Sequence, residues 1–199
     1  TKEFEKRITE YCGCKSTLCL NSATAGLEIM LRWYGVTKGD EVIVPAYTYS
    51  ATANVVNHCG ANVVFVDVNK NDFNISVEKI EKAITSRTKV IMPVDFGGYP
   101  CDYDAINELV SRKDIRKKFK ANPSVDGQKK LKRILVLSDA AHSIGATFTG
   151  KKTGSLTDIS VFSFHAVKNL TTAEVGAVCL NLPAPFDNEK IYNTLCVKS

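Results

Sequence analysis

At 199 residues, with 44% hydrophobic and 24% charged residues, the chain has the composition of one sizeable globular domain and is neither disordered nor fibrous. No apolar run approaches the ~18 to 20 residues of a membrane span, and the charged start Thr1-Lys2-Glu3-Phe4-Glu5-Lys6-Arg7 reads as a helix-former rather than a signal peptide, so a cytoplasmic protein with no membrane partner is expected. The formal charge of +5 hints at nucleic acid until it is located: residues 111–133 hold ten Lys/Arg and two Asp/Glu, a local +8 that leaves −3 for the remainder, and beyond Phe119 they lack the aromatics that stack on bases.

In chain order, residues 3–11 read as a short amphipathic helix and Thr17 to Leu20 as a small apolar strand. Asn21-Ser22-Ala23-Thr24-Ala25-Gly26 then opens a helix running to about Tyr34, closed by Gly35. Small residues at a strand-to-helix junction let a phosphate approach backbone N–H groups at the positive end of the helix dipole. The same residues also read as a plain N-cap by Ser22, and no Gly-Lys-Ser/Thr follows as in a P-loop.

Asp40 to Pro45 is a strand ending at a proline, and Tyr47-Thr48-Tyr49-Ser50 leads into a helix that Gly60 can terminate. Asn62 to Val68 and Lys89 to Val94 are β-branched strands, separated by a helix that Ser76 can cap. After Gly97-Gly98-Tyr99-Pro100 a helix begins near Tyr103. The basic segment follows, with Asn122-Pro123-Ser124 and Asp126-Gly127 marking a helix end, a loop and a re-entry. It reads as a solvated surface insertion, with a polyanion-binding loop as the other reading. Short apolar strands alternating with helices of this length predict a mostly parallel sheet covered on both faces. The seven cysteines are an odd, scattered set with no CxxC pair and no zinc-like spacing; they read as free thiols, and no metal site is expected.

The strand Ile134 to Leu137 ends in Ser138-Asp139-Ala140-Ala141-His142-Ser143. A carboxylate at the end of a buried apolar strand is costly unless a cation meets it, and a protonated ring nitrogen of a cofactor would serve. Alternatively, Asp139 caps the following turn through its own backbone. His142 either turns toward the same site or sits satisfied in the core. The alternating run Ile159 to Phe164 is a further strand, and it delivers Ser163, His165 and Lys168 to the loop beyond its end, where open α/β sheets place ligands. A strand over Gly176 to Leu182 and a helix from about Asp187 to Cys196 complete the pattern.

Asn21 to Gly26, Pro45-Ala46-Tyr47-Thr48-Tyr49, Asp139-Ala140-Ala141-His142 and Ser163 to Asn169 with Ala173-Glu174 stand in the order and approximate spacing of the DegT family of nucleotide-sugar aminotransferases, which the chain resembles over nearly its whole length. The resemblance implies a pyridoxal phosphate enzyme with the α/β large domain of the type I aspartate aminotransferase fold, spanning residues 1–199. It implies that Ala23, Thr24 and Ala25 hold the cofactor phosphate with a hydroxyl from Ser163, and that Tyr49 stacks on the pyridine ring. Asp139 would pair with the ring nitrogen, His142 would approach the phenolic oxygen, and Lys168 would be the Schiff-base lysine. Asp139 and Lys168 are the catalytic pair so implied.

The implied reaction moves an amino group from glutamate or glutamine to a keto group of a nucleotide-linked sugar, as in polysaccharide biosynthesis, in a homodimer. Related dehydratases replace the lysine by histidine, so Lys168 argues against that activity. Ala173-Glu174-Val175-Gly176 departs from the family's Ala-Glu-Gly-Gly, and the smaller C-terminal domain expected of the family is not encoded in these residues. The alternative is therefore a non-catalytic module of the same fold that binds cofactor or a partner.

Overall fold

A strand buried on both faces must be apolar on both, and that is how the central strands read. The computed structural model describes residues 1–197, in which β1 (Ser16–Leu20), β2 (Glu41–Pro45), β3 (Asn62–Val66), β4 (Thr88–Ile91) and β5 (Leu135–Asp139) are followed by the short pair β6 (Thr147–Phe148) and β7 (Lys151–Lys152), then β8 (Ile159–Ser163) and β9 (Gly176–Leu180). Seven of them form one sheet in the order β1-β9-β8-β5-β4-β2-β3, with β6 and β7 as a separate ribbon. Every residue of β2, β4, β5, β8 and β9 is buried.

Successive side chains go to opposite faces. Val42, Val44, Leu135, Leu137, Ile159 and Val161 pack on one side against α2 (Ala23–Trp33), α3 (Ser50–His58) and α8 (Asn188–Cys196). Ile43, Ile91 and Val136 pack on the other against α4 (Val77–Ala83) and α5 (Tyr103–Ser111), while Phe162 and Phe164 meet α1 (Lys2–Cys12). Each such side chain, fully buried, stabilises by roughly 1.5–3 kcal/mol before chain entropy is subtracted.

The parallel pairs β2·β3, β2·β4, β4·β5 and β5·β8 agree with the predicted α/β arrangement, and β9 alone runs against its neighbours, β8 and β1. Parallel neighbours need a crossover, usually helical. Residues 164–175 contain no helix, so the chain folds back beside β8 and β9 returns antiparallel. Other differences are local. β3 stops at Val66, with Val68 bridging Ile75, and β4 stops at Ile91, with Val94 bridging Asp139. The basic segment holds two short helices, α6 (Lys113–Lys118) and α7 (Asp126–Leu131), on either side of the expected loop at Asn122-Pro123-Ser124. Among the described residues no helix is long and apolar enough to cross a membrane, and no cluster of three or more His, Cys, Asp or Glu is placed to hold a metal.

Candidate active site

Asp139 ends β5 and is buried. Its Oδ2 accepts a hydrogen bond from the Thr52 hydroxyl at 2.8 Å, and its Oδ1 accepts one from the Ala141 amide at 3.3 Å. The turn-capping contact read from the sequence is thus present on one oxygen, while the other is held by α3. Thr52 lies 2.9 Å from the hydroxyl of Thr48, just ahead of that helix. No ion pair reaches Asp139 among the described residues. Burial pushes its carboxyl above the ordinary range, and the Thr52 hydroxyl, the Ala141 amide and the Lys168 charge offset this only in part. A cationic group brought to this carboxylate would relieve that penalty.

Lys168 Nζ lies 2.6 Å from His142 Nε2. Burial lowers the proton affinity of both bases, and the lysine charge lowers that of the histidine further. A contact this short needs one proton between the two nitrogens, so the two bases are not both protonated there. The loop carrying Lys168 is tied down on several sides. Its own amide donates to His165 O at 2.9 Å, the Asn169 amide group donates to Ile144 O at 2.8 Å, and the Phe164 amide donates to Val175 O at 2.7 Å. His165 is exposed, and its Nδ1 faces the Val167 amide at 3.5 Å.

The third component is the N-terminal corner of α2, the candidate anion cradle. Ser22 caps α2 by accepting from the Ala25 amide at 3.1 Å, so the Ala25 donor is engaged within the cap. The amides of Ala23 and Thr24, in the first turn of an 11-residue helix, have no intrahelical acceptor. Gly176 presses against this corner so closely that a Cβ there would lie 2.3 Å from Ser22 C and 2.4 Å from Ala23 N. Gly176 is also the cross-strand partner of Ser163, which sets that buried hydroxyl-bearing residue beside the cradle. Val175, where the family has glycine, is not among the residues with positive φ, so valine fits there; Gly176 is the position that only glycine fits.

Tyr49 is the N-cap residue of α3, one turn from Thr52, and is 81% exposed. The structure therefore brings Asp139, His142 and Lys168 into one cluster, with Ala23, Thr24, Ala25 and Ser163 in a second joined to it through β8, and Tyr49 on the open rim above Thr52. Sequence reasoning missed Thr52 and Asn169, both polar residues whose importance lies in partners 87 and 25 positions away.

A buried acid without a cation, a lysine of lowered proton affinity and a helix N-terminus beside a forced glycine together fit a ring with a basic nitrogen, an aldehyde and a phosphate. The model of the DegT/DnrJ/EryC1/StrS aminotransferase family matches residues 1–116 and 124–198. The chain belongs to that family.

This DegT-family chain is 42% identical over 179 residues to GDP-perosamine synthase of Caulobacter vibrioides, covering 90% of this chain and 43% of that protein. To the spore coat polysaccharide biosynthesis protein SpsC of Bacillus subtilis it is 39% identical, covering 88% of this chain and 40% of that one. Among solved structures, one described as a sugar aminotransferase of Streptococcus pneumoniae in its PLP form superposes with a TM-score of 0.94 at 44% identity, covering 99% of this chain and 49% of that one. The chain thus spans under half the length of these relatives. The break in the family match, residues 117–123, falls inside the basic segment.

Proposed function

We propose that this chain is the pyridoxal phosphate-binding large domain of an aminotransferase that moves an amino group from glutamate or glutamine to a keto group on a nucleotide-linked sugar, for polysaccharide or related sugar biosynthesis in the cytoplasm. The observation that carries this reading is Lys168 Nζ at 2.6 Å from His142 Nε2, beside the buried and unpaired Asp139, at the strand ends that also face the α2 cradle. The nature of the relatives supports the sugar substrate: one is named GDP-perosamine synthase, another a sugar aminotransferase.

The cofactor supplies an electron sink for the carbanion that forms at the substrate carbon. Asp139 would keep a proton on the ring nitrogen, since a charge pair would remove the penalty of its burial. The amides of Ala23 and Thr24, with the Ser163 hydroxyl, hold the phosphate at the positive end of α2, and the Ala25 amide keeps the cap that shapes it. Tyr49 covers the ring face. His142 holds the lysine side chain and would approach the phenolic oxygen. Lys168 would supply the amine that holds the aldehyde, with water as the leaving group, and when the substrate amine takes its place, its proton affinity lowered by burial would suit it to move a proton to and from the substrate carbon.

The test is direct. Pyridoxal phosphate is added, the protein is reduced with borohydride, and peptides are mapped by mass. The pyridoxyl label is expected on Lys168 and absent in Lys168→Ala. A label on another lysine, or none despite bound cofactor, overturns the assignment.

A further inference from the structure

Beneath the turn that carries Asp139 and His142 lies a second acid, Asp95, only 1% exposed. Its partners are all neutral. Oδ1 accepts from the Tyr103 phenol at 2.5 Å and from the Cys101 amide at 3.1 Å, and Oδ2 accepts from the Ser143 hydroxyl at 2.5 Å. Burial, with the charge of Asp139 adding in the same direction, pushes this carboxyl up to about 6. Among the described residues no cation meets this buried acid, an arrangement that weakens a fold unless something else requires it.

The geometry shows what the carboxylate joins. The Asp95 amide donates to Asp139 O at 3.2 Å, and the Asp139 amide donates to Pro93 O at 2.9 Å, so the segment after β4 and the end of β5 are bound through their main chains. Three residues on, Gly98 at φ +87° lies so near the His142 carbonyl that a Cβ would stand 2.7 Å from it. Ser143, held by Asp95 Oδ2, is the residue next to His142, and the Ser143 carbonyl accepts from the Thr153 hydroxyl at 2.6 Å. On the far side, Ile144 O receives Asn169 from the lysine loop. The turn is thus clamped from below by one side chain and from above by the loop it serves.

We propose that Asp95 is a positioning residue of this site: by gripping Ser143 and the start of α5 at once, it fixes the 139–143 turn so that His142 meets Lys168 and Asp139 faces the cofactor. What the turn serves rests on the function proposed above; the clamp itself does not. Asparagine in place of Asp95 keeps one acceptor oxygen for Tyr103 and Cys101 and offers an N–H to the Ser143 oxygen. Alanine offers neither.

Asp95→Ala, Asp95→Asn and Ser143→Ala are compared with the unmodified chain by two measurements. The first is NMR titration of the His142 ring without cofactor, assigned with His142→Gln. In the unmodified chain the ring titrates below the ordinary histidine value of ~6.5. Asp95→Ala and Ser143→Ala are expected to raise it toward ~6.5, because a loosened turn takes the imidazole away from Lys168 and into water. Asp95→Asn is expected not to raise it. Deleting a negative charge would by itself lower the midpoint, so a rise reports the turn and not the charge. The second measurement is pyridoxal phosphate affinity by absorbance, expected to fall about tenfold or more in Asp95→Ala and Ser143→Ala but not in Asp95→Asn, the range seen when groups supporting direct ligands are removed.

An unmoved His142 midpoint in folded Asp95→Ala overturns the proposal. Should that variant fail to fold, the same result in Ser143→Ala overturns it. Equal losses in Asp95→Asn and Asp95→Ala also overturn it, because charge rather than placement would then be what the site needs. The expected His142 pattern in a chain with no cofactor affinity refutes the proposed function and leaves the clamp standing.

Discussion

At the scale of single residues, the two oxygens of Asp139 are divided between the turn and α3, and among the described residues neither is in an ion pair. Asp139→Asn keeps the size and the bond accepted from Thr52, gives up the longer one accepted from the Ala141 amide, and removes the charge that would keep a ring nitrogen protonated. The fold is expected to persist in circular dichroism and thermal unfolding, while transamination in the presence of the rest of the enzyme falls by a factor of 100 or more, on the order of the 10²–10⁴ range for a lost acid–base partner. Unchanged turnover in Asp139→Asn would confine the residue to capping its turn.

At the scale of elements, Leu27, Met30 and Leu31 pack α2 on the sheet, and two glycines let its N-terminal end come closer than any side chain would allow. Gly26 faces Val161 and Val178, where a Cβ would stand 2.8 and 3.0 Å from methyl carbons, and Gly176 faces the backbone of Ser22 and Ala23. A methyl facing another side chain can be accommodated by a rotamer change. One facing backbone cannot. Gly176→Ala is therefore expected to push β9 and the start of α2 apart, at a cost of about 1–3 kcal/mol or more in unfolding free energy, and to weaken inorganic phosphate and pyridoxal phosphate binding together. Denaturant melts and a phosphate titration check this. Normal phosphate affinity in Gly176→Ala would separate the glycine from the cradle.

At the scale of the whole molecule, the open end of the sheet carries more aromatic surface than a solitary domain needs. Tyr47, Phe73 and Phe96 pack as a cluster with ring centroids 5.1 to 5.8 Å apart, and Tyr47, Tyr49, Phe73 and Tyr99 stay about half exposed or more. Such rings are stabilised by a partner surface, and an active site completed by a second copy would supply one. Dimerisation is accordingly expected. Light scattering over a dilution series with cofactor should give twice the chain mass of 21.8 kDa; a mass that stays at the single-chain value at high concentration contradicts a site shared between subunits.

The sequence alone determined the class of fold and, through its resemblance to the DegT family, which residues are expected to carry the chemistry. Short apolar, β-branched strands, helix caps at Ser22 and Ser76, and Asp139 and Lys168 at or beyond strand ends are local patterns, and local patterns survive reading along the chain. Tertiary structure decided what a linear reading has no access to. The contact of Lys168 with His142 spans 26 positions, that of Thr52 with Asp139 spans 87, and the approach of Gly176 to Ser22 joins opposite ends of the chain. β9 looked like every other strand because its direction depends on the path between it and β8, not on its own residues. Asp95 was passed over inside a Val-Asp-Phe-Gly-Gly stretch for the same reason. An acid's role is set by the donors that packing brings to it, and Tyr103 and Ser143 reach Asp95 only once β4 and β5 lie side by side.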